Sequence, residues 1–542
     1  MCGIFSFFGK TDKELSSLSN KIAYRGPDSS SLMEVSDGVH LGFHRLSIMD
    51  VSELGNQPMS LSKNKDVTLI CNGEIYNYRD IIDSYGFEIE SRSDSEVILH
   101  LYNEVPFEDI PDILDGVYSF VIYDKSKDLA MAARDPFGVR PMFMGISDDG
   151  SIGIASEAKS LVGLVDNISP FPPGNIWRSS SPNEFLPYYK YEYKVTKSGA
   201  DDVLVGIRSR LESAVRKRLM SDREVGCLLS GGLDSSLIAA LVQKNLNEYS
   251  TGSSGAISGA LRPKLKTFSI GMPGSPDLMY ARKVARWIGS DHHEVTLSPD
   301  EFLSAIKEVI FKIESYDTTT VRASVGNYLV SKYISENTDC KVIFNGDGAD
   351  EVCVGYVYNK EAPSNDELQS EAIRLVKDIH MFDVLRSDRS ISSNGLEPRT
   401  PFLDKDFVNY YMSVPPSLKS FDKKKKIEKY ILRKAFDDNT LLPKDVLWRD
   451  KCAFSDGVSS AKNSWHKLLK AYVDRAVSDS EFISAVSEIQ HCKPQLKESY
   501  YYRKIFIELF GEERCDLVPY YWLPKWTDCI DPSARELSGY KE

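Results

Sequence analysis

The sequence predicts two domains of different class: an α+β sandwich of stacked antiparallel sheets between helices, then an α/β domain on a parallel sheet. Three observations carry this. At 542 residues the chain is too long for one ordinary core. Up to about residue 190, short apolar runs are punctuated by turns: runs at 117–123 and 129–133 flank the turn 124–128, and Asp148-Asp149-Gly150 marks a second hairpin. After about residue 200, strand and helix patterns alternate, as in a helix-covered parallel sheet that binds ligands at the carboxyl ends of its strands. The domains are placed at 1–190 and 200–542, with the polar, aromatic stretch 187–200 as the boundary. The Pro-, Trp- and Tyr-rich stretch after about residue 515 carries no further assignment.

Hydrophobic residues make up 42% and charged residues 27%, ordinary for a globular protein, and the net charge of −13 argues against a nucleic-acid surface. No apolar run has the length of a bilayer span, and the first residues lack a basic-then-apolar signal pattern. Nine dispersed cysteines form no CxxC pair and no zinc spacing, which predicts a reducing compartment, the cytosol by default.

The chain opens Met1-Cys2-Gly3-Ile4-Phe5, placing Cys2 at the tip of an apolar strand. Removal of Met1 would give Cys2 a thiol and a free α-amine, and an amine with an unperturbed pKa of about 7.7–8.0 can serve as base for its own side chain. The loop Tyr24-Arg25-Gly26-Pro27-Asp28-Ser29 follows, and a strand then ends in Arg45-Leu46-Ser47-Ile48-Met49-Asp50. After the loop Asn56-Gln57-Pro58-Met59, the strand Thr68-Leu69-Ile70-Cys71 runs into Asn72-Gly73-Glu74. Ser93-Asp94-Ser95-Glu96 has capping-box spacing ahead of a helix at 97–102. Singly, Arg45 reads as a surface ion pair, Asn72-Gly73 as a hairpin turn and Asp94 as a helix cap. The string from Arg134 to Pro141 and Ala155-Ser156-Glu157 read as loop anchors.

In the second half, Val203, Ile207, Leu211, Val215 and Leu219 form one apolar helix face. Val225-Gly226-Cys227-Leu228-Leu229 is a buried strand, broken by Ser230-Gly231-Gly232-Leu233-Asp234-Ser235-Ser236 and restarted as an apolar helix. Unpaired N–H groups at that helix start, with glycines that admit close approach, make a receptor for a phosphate. No Walker-type string is present. Strands are expected at 267–271, 293–297 and 341–345, and helices at 279–288 and over 328–334. The Gly/Ser/Ala-rich stretch 250–260 reads as a mobile insertion. Asn345 leads into Gly346-Asp347-Gly348-Ala349-Asp350-Glu351. Mg²⁺ takes one or two protein carboxylates and completes its shell with phosphate and water, so Asp234 and Asp350 are its candidates.

The strings of the first third resemble the class II glutamine amidotransferase domain, an N-terminal-nucleophile hydrolase, and residues 230–236 resemble the pyrophosphate loop of ATP pyrophosphatases. Further strings extend the likeness, among them Tyr316-Asp317-Thr318-Thr319-Thr320-Val321-Arg322-Ala323-Ser324, Lys429-Tyr430-Ile431-Leu432-Arg433-Lys434 and Trp448-Arg449-Asp450-Lys451. Together they resemble the glutamine-hydrolysing asparagine synthetase family over about residues 1–460. The resemblance implies that Cys2 attacks the glutamine side-chain amide, with the Asn72 side chain and the Gly73 N–H as oxyanion hole. It implies glutamine binding by Arg45, paired with the α-carboxylate, by Leu46, Ser47, Ile48 and Met49, and by Glu74 and Asp94 at the α-ammonium. ATP and pyrophosphate would meet Leu229, Ser230, Gly231, Gly232, Asp234, Ser235, Ser236, Ile270, Asn345, Gly346 and Lys451, with Mg²⁺ on Asp234 and Asp350. Thr319, Thr320 and Arg322 would orient aspartate or its activated form.

The implied reaction activates aspartate as a β-aspartyl-adenylate, releasing pyrophosphate. Ammonia arriving through a channel between the domains then displaces AMP. Glutamine, aspartate and ATP are the expected small molecules, with no nucleic acid or membrane partner and a homodimer as candidate assembly. Where the family usually reads Ser-Gly-Glu-Gly-Ala-Asp-Glu, this chain has Asn345 and Asp347. The family glutamate is implicated in forming the intermediate, and Asp347 would take that place one methylene short. Two alternatives stand beside this reading. β-Lactam-synthetase-like ligases act on another carboxylate and commonly lack Cys2, and a weakly active regulatory homologue rests on Asn345 and Asp347 alone.

Overall fold

The structure is a computed structural model that describes residues 1–251, 264–421, 426–460 and 464–532. The stretch expected as an insertion at 250–260 lies, from residue 252, outside the described residues. The chain divides into two compact units: Met1–Glu192 with Met220–Glu224 and Ile391–Glu397, and Tyr193–Leu219 with Val225–Ser390 and Pro398–Glu542.

The first unit holds two six-stranded antiparallel sheets. One runs Ser169–Pro170, Phe143–Ile146, Ile152–Ala155, Gly3–Phe8, Val39–Arg45, Ser29–Ser36. The other runs Phe185–Pro187, Asn175–Arg178, Leu129–Arg134, Gly116–Asp124, Asn64–Ile75, Met59–Leu61. The period of two along each strand sorts side chains between two cores. Leu69, Cys71, Phe120 and Ile122 pack with Ile81, Val97, Ile98 and Leu101 of the helices Tyr78–Tyr85 and Glu96–Glu104. Ile70, Val121, Tyr123 and Ala132, one residue out of step, pack with Ile4, Leu41 and Phe43 of the facing sheet. Both expected hairpins form, pairing Tyr123 with Ala130 and Ile146 with Ile152.

One alternative reading falls away and one local expectation is corrected. Asn72-Gly73 is no turn: it lies inside the strand Asn64–Ile75, because the apolar alternation continues through Ile75. Nor does a capping box precede the helix Glu96–Glu104. Ser95 makes no side-chain cap, and the Glu96 carboxylate accepts from the Glu90 and Ser91 N–H groups at 2.6 and 2.7 Å.

In the second unit the sheet order is Asp291–Thr296, Lys266–Gly271, Glu224–Leu228, Cys340–Phe344, Glu397–Arg399, and the first three strands pair in parallel. Strand order therefore reverses beside Glu224–Leu228, and the crevice past the ends of that strand and Cys340–Phe344 is the topological switch point of an open α/β sheet. The helix Ala200–Lys217 buries Val203, Ile207, Leu211 and Val215, while Leu219 falls past its end. Among the described residues no helix is long and apolar enough to cross a membrane.

Two candidate active sites

Cys2 immediately precedes the strand Gly3–Phe8. Its carbonyl accepts from Arg25 Nε at 3.0 Å, and Arg25 is held by Glu157 at 2.6 Å in a fully buried pair that also takes Lys159. The Cys2 Sγ faces the Leu46 carbonyl at 3.7 Å. Burial pushes the thiol pKa up, and the neighbouring terminal amine opposes it. That amine belongs to buried Met1 and is lowered to about 6, chiefly by lost solvation.

Asn72 is fully buried, and neither its amide N–H groups nor its oxygen has a hydrogen-bond partner. Leaving such a group open costs about 1–3 kcal/mol. Gln57 steadies the strand beside it, accepting from the Cys71 N–H at 2.6 Å. Gly73 pairs with Tyr118 and has no room for a Cβ, which would stand 2.4 Å from the Val117 oxygen. Arg45 donates to the Ser52 carbonyl at 2.6 Å, to Asn56 Oδ1 at 2.8 Å and to the Asp50 carbonyl, so its fork closes the loop 46–56. Within that loop the Ser47 N–H donates to Asp28 at 2.8 Å, the Ile48 carbonyl accepts from Asp222 N, and Met49 packs on the core. Glu74 is buried and acts on the Cys2 thiol, and Asp94 accepts from the Ile75 N–H at 2.6 Å.

The second site occupies the switch point. Gly231 sits at φ +73°, and a Cβ there would lie 2.5 Å from both Tyr280 Cβ and Ala281 N. The loop closes on its own hydroxyls: Ser230 and Ser235 Oγ stand 3.0 Å apart, and Ser235 Oγ accepts from Ser230 N at 3.2 Å. Gly346 lets residues 345–350 approach the helix Leu233–Thr251, since its Cβ would lie 2.8 Å from the Asp234 backbone. Between these loops Lys429 Nζ bridges Asp234 at 2.6 Å and Asp350 at 2.5 Å, and Lys451 also pairs with Asp350. Against the cost of burial, Lys429 and Lys451 hold the Asp350 carboxyl well below the usual carboxylate range. Arg386 meets one Asp347 oxygen at 2.8 Å while the other oxygen is buried without a hydrogen-bond partner, and burial raises this carboxyl against the pull of Arg386.

One cavity is lined by Leu229, Ser230, Gly232, Asp234, Ser235, Ile270, Asn345, Gly346, Asp347, Asp350 and Lys451. Gly231 and Ser236 are absent from its lining. Gly231 packs on Tyr280, and Ser236, one helix position past Ser235, turns fully into the core. Thr319 lines an adjoining cavity with its Oγ1 buried and without a partner. Arg322 lines the same cavity, but Thr320 and Arg322 both have their polar groups engaged by protein carboxylates. Thr320 Oγ1 donates to Asp317 at 2.8 Å, and Arg322 meets Glu498 at 2.7 and 2.8 Å and Asp531 at 2.8 Å through two nitrogens.

Sequence reasoning gave no role to Arg25, Lys429, Arg386 or Arg449. Arg449 donates to the Gly231 carbonyl at 3.0 Å and to Asp277 at 2.8 Å, its guanidinium 4.0 Å from the centre of the Tyr280 ring. Burial pushes Asp277 up to about 6 even so. Lys429 and Arg449 lie inside strings that carry the family resemblance, which was their only available signal. Arg386 and Asp383 share a helix at i, i+3 spacing, but nothing local ties them to Asp347.

An N-terminal strand tipped by cysteine and an open buried amide in one unit, with a glycine-rich strand–helix loop at an α/β switch point in the other, are the features of a two-part amidotransferase. The family model described as the glutamine amidotransferase domain matches residues 1–170, and that of asparagine synthase matches 206–373 and 359–527. The asparagine synthetase [glutamine-hydrolyzing] of Gallus gallus is 44% identical over 572 aligned positions, covering 100% of this chain and 99% of that protein. Those of Cricetulus griseus and Homo sapiens are 44% and 42% identical with the same coverage. The chain belongs to the glutamine-hydrolysing asparagine synthetase family.

Gly231→Ala tests the loop. A left-handed backbone costs an L side chain about 1–2 kcal/mol, and overlap with Tyr280 and Ala281 adds about 1–3 kcal/mol. The variant is expected to lose ATP-dependent pyrophosphate release while keeping glutaminase activity, measured side by side.

Proposed function

We propose that this chain makes asparagine from aspartate and ATP, with nitrogen released from glutamine. The overall reaction is supported by full-length identity to proteins bearing that name. The observation that carries the assignment of roles is the single cavity where the 230–235 loop, Asp234, Asp350 and Lys451 meet.

At the first site Cys2 attacks the glutamine amide carbon, and the open Asn72 amide and Gly73 N–H receive the oxyanion that forms only in the tetrahedral state. Arg45 and the loop 46–49 take the α-carboxylate end of glutamine, and Glu74 and Asp94 the ammonium end. Ammonia leaves, and water releases glutamate from the thioester.

At the second site the aspartate β-carboxylate attacks the α-phosphorus of ATP, and pyrophosphate departs into the 230–235 loop. Lys451 and Lys429 stand there as cations for its charge. The residues fit Mg²⁺: two carboxylates flank one ammonium, Asp234 Oδ1 is buried without a hydrogen-bond partner, and the ion asks for only one or two carboxylates. Bound on Asp234 and Asp350, it would supply further neutralising charge. Leu229, Ile270, Asn345 and Gly346 face adenosine, and Thr319 faces aspartate. Asp347 takes a proton as ammonia attacks the acyl carbon and AMP leaves, a role supported by its rise through burial and its contact with Arg386.

The test supplies ATP, Mg²⁺ and aspartate with either glutamine or ammonia and follows pyrophosphate and asparagine together. Both products from both nitrogen sources are expected. Glutamate formation without aspartate-dependent pyrophosphate release would refute the second half.

A further inference from the structure

Within the string from Tyr316 to Ser324 the family resemblance assigns Thr319, Thr320 and Arg322 to aspartate, yet Tyr316, Asp317 and Arg322 all reach one other segment of the chain. Tyr316 Oη donates to the Cys515 carbonyl at 2.9 Å. Asp317 Oδ1 accepts from the Trp522 N–H at 2.8 Å, while its Oδ2 caps the helix through the Thr320 N–H. Arg322 meets Asp531 through two nitrogens. Three residues at the start of one helix thus hold residues 515–531 at three points, two of them deeply buried ion-pair or N–H···carboxylate contacts. Glu498 and Asp531 together fill both edges of the Arg322 guanidinium, so an incoming carboxylate finds no bidentate place on it.

The segment so held is a wall of the cavity that contains the open Thr319 hydroxyl. Trp522, Pro524 and Pro532 line that cavity with Thr319, Tyr356 and Lys451. Trp522 is buried, and its ring centre lies 5.0 Å from that of Tyr356. Lys451 Nζ lies 6.0 Å from the same Tyr356 ring and reaches Asp350 in the nucleotide cavity. A rigid aromatic wall beside the reacting centre limits the length of what fits between it and the phosphates.

We propose that residues 515–532 measure the length of the carboxylic-acid substrate, with Trp522 as a specificity-determining residue and Asp531, acting through Arg322, as a positioning residue. The inference rests on the proposed function of this site. Arg322 then serves aspartate indirectly, by fixing the wall rather than by binding the substrate.

The experiment uses the full chain and ammonia as nitrogen source, varying aspartate and ATP in turn, with glutaminase activity measured separately. Asp531→Asn removes one charge at constant shape and is expected to raise the aspartate KM about tenfold or more. Its ATP KM and glutaminase rate should change by less than about twofold, a split that a general loss of structure does not give. Asp531→Glu should recover part of the aspartate KM. Trp522→Ala is expected to raise kcat/KM for glutamate relative to aspartate by about tenfold or more, the discrimination one methylene carries in a close pocket. An unchanged aspartate KM and acid preference would overturn the proposal. So would a fall in aspartate KM, which would make Asp531 a competitor of the substrate, or a uniform loss of all three readouts. If the unaltered chain forms no asparagine, the proposed function has failed instead. Pyrophosphate release with dicarboxylic acids of graded length would then still test the wall.

Discussion

Cys2→Ala is expected to abolish asparagine formation from glutamine and to leave formation from ammonia unchanged. The thiol is the group that would break the glutamine amide, and removal of a nucleophile of this kind costs at least about 10⁴-fold. In the proposed mechanism Asn72 and Gly73 serve charge that appears only after attack. The Asn72 amide is buried and open, and Gly73 sits in a strand too tightly packed for any side chain. Without a nucleophile, donors to the carbonyl oxygen do not by themselves break the amide. Ammonia supplied from solution needs no such attack, so the second unit should continue at its own rate. The thiol itself is pushed up by burial, so it needs a base. Once Met1 is removed, the α-amine of Cys2 can serve as that base. Mass spectrometry of the first residue accompanies the assay, because retained Met1 should give the same phenotype as the substitution. Asparagine made from glutamine by Cys2→Ala would remove Cys2 from the mechanism.

What was legible in the sequence was local. Alternation at 69–71 and 120–122 gave the sheets, and Gly231, Gly232 and Gly346 marked where backbone must come close. The loops 230–236 and 345–351 were each readable as turns after strands, and the strand order brings them together at the switch point. Their electrostatic partners were not readable. Lys429 reaches Asp234 across 195 positions, and no spacing rule connects them. The capping-box reading of Ser93-Asp94-Ser95-Glu96 failed for a related reason. Glu96 was taken by the Glu90 and Ser91 N–H groups, and Asp94 by the Ile75 N–H of a strand 19 positions earlier. The string at 316–324 was legible as important, but its use was not, because three of its partners lie about 200 positions away at 515, 522 and 531.

Lys429→Met is expected to destabilise the second unit by about 3–5 kcal/mol and to remove ATP-dependent pyrophosphate release. Lys429 is only 2% exposed, and its ammonium is the shared partner of two carboxylates. Methionine keeps most of the stem volume, so the loss is electrostatic. Removing one member of a buried ion pair leaves the others desolvated without compensation, which costs about 3–5 kcal/mol. The backbone agrees that this ammonium is held on purpose: Lys429 sits at φ +55°, a left-handed conformation that a non-glycine residue keeps only when its surroundings impose it. The pH dependence has a definite sign. Lys429 is raised, against burial, by Asp234 and Asp350, so its contribution is complete below the ordinary lysine value and fades as pH rises through the folded value. Asp350 is lowered by Lys429 and Lys451, so its contribution holds above the ordinary carboxylate value and is lost as pH falls through the folded one. The unaltered chain therefore keeps the network intact throughout the neutral range. In Lys429→Met, Asp350 retains Lys451 alone, its carboxyl moves up, and the acid edge of the stability curve shifts to higher pH. Urea midpoints across the acid range, with pyrophosphate release at neutral pH, measure both effects. Loss of pyrophosphate release at an unchanged midpoint would make Lys429 a phosphate ligand with no structural share. An unchanged midpoint with full activity would mean that the two carboxylates need no cation at all, and the charge assignment of the whole cavity would fall with it.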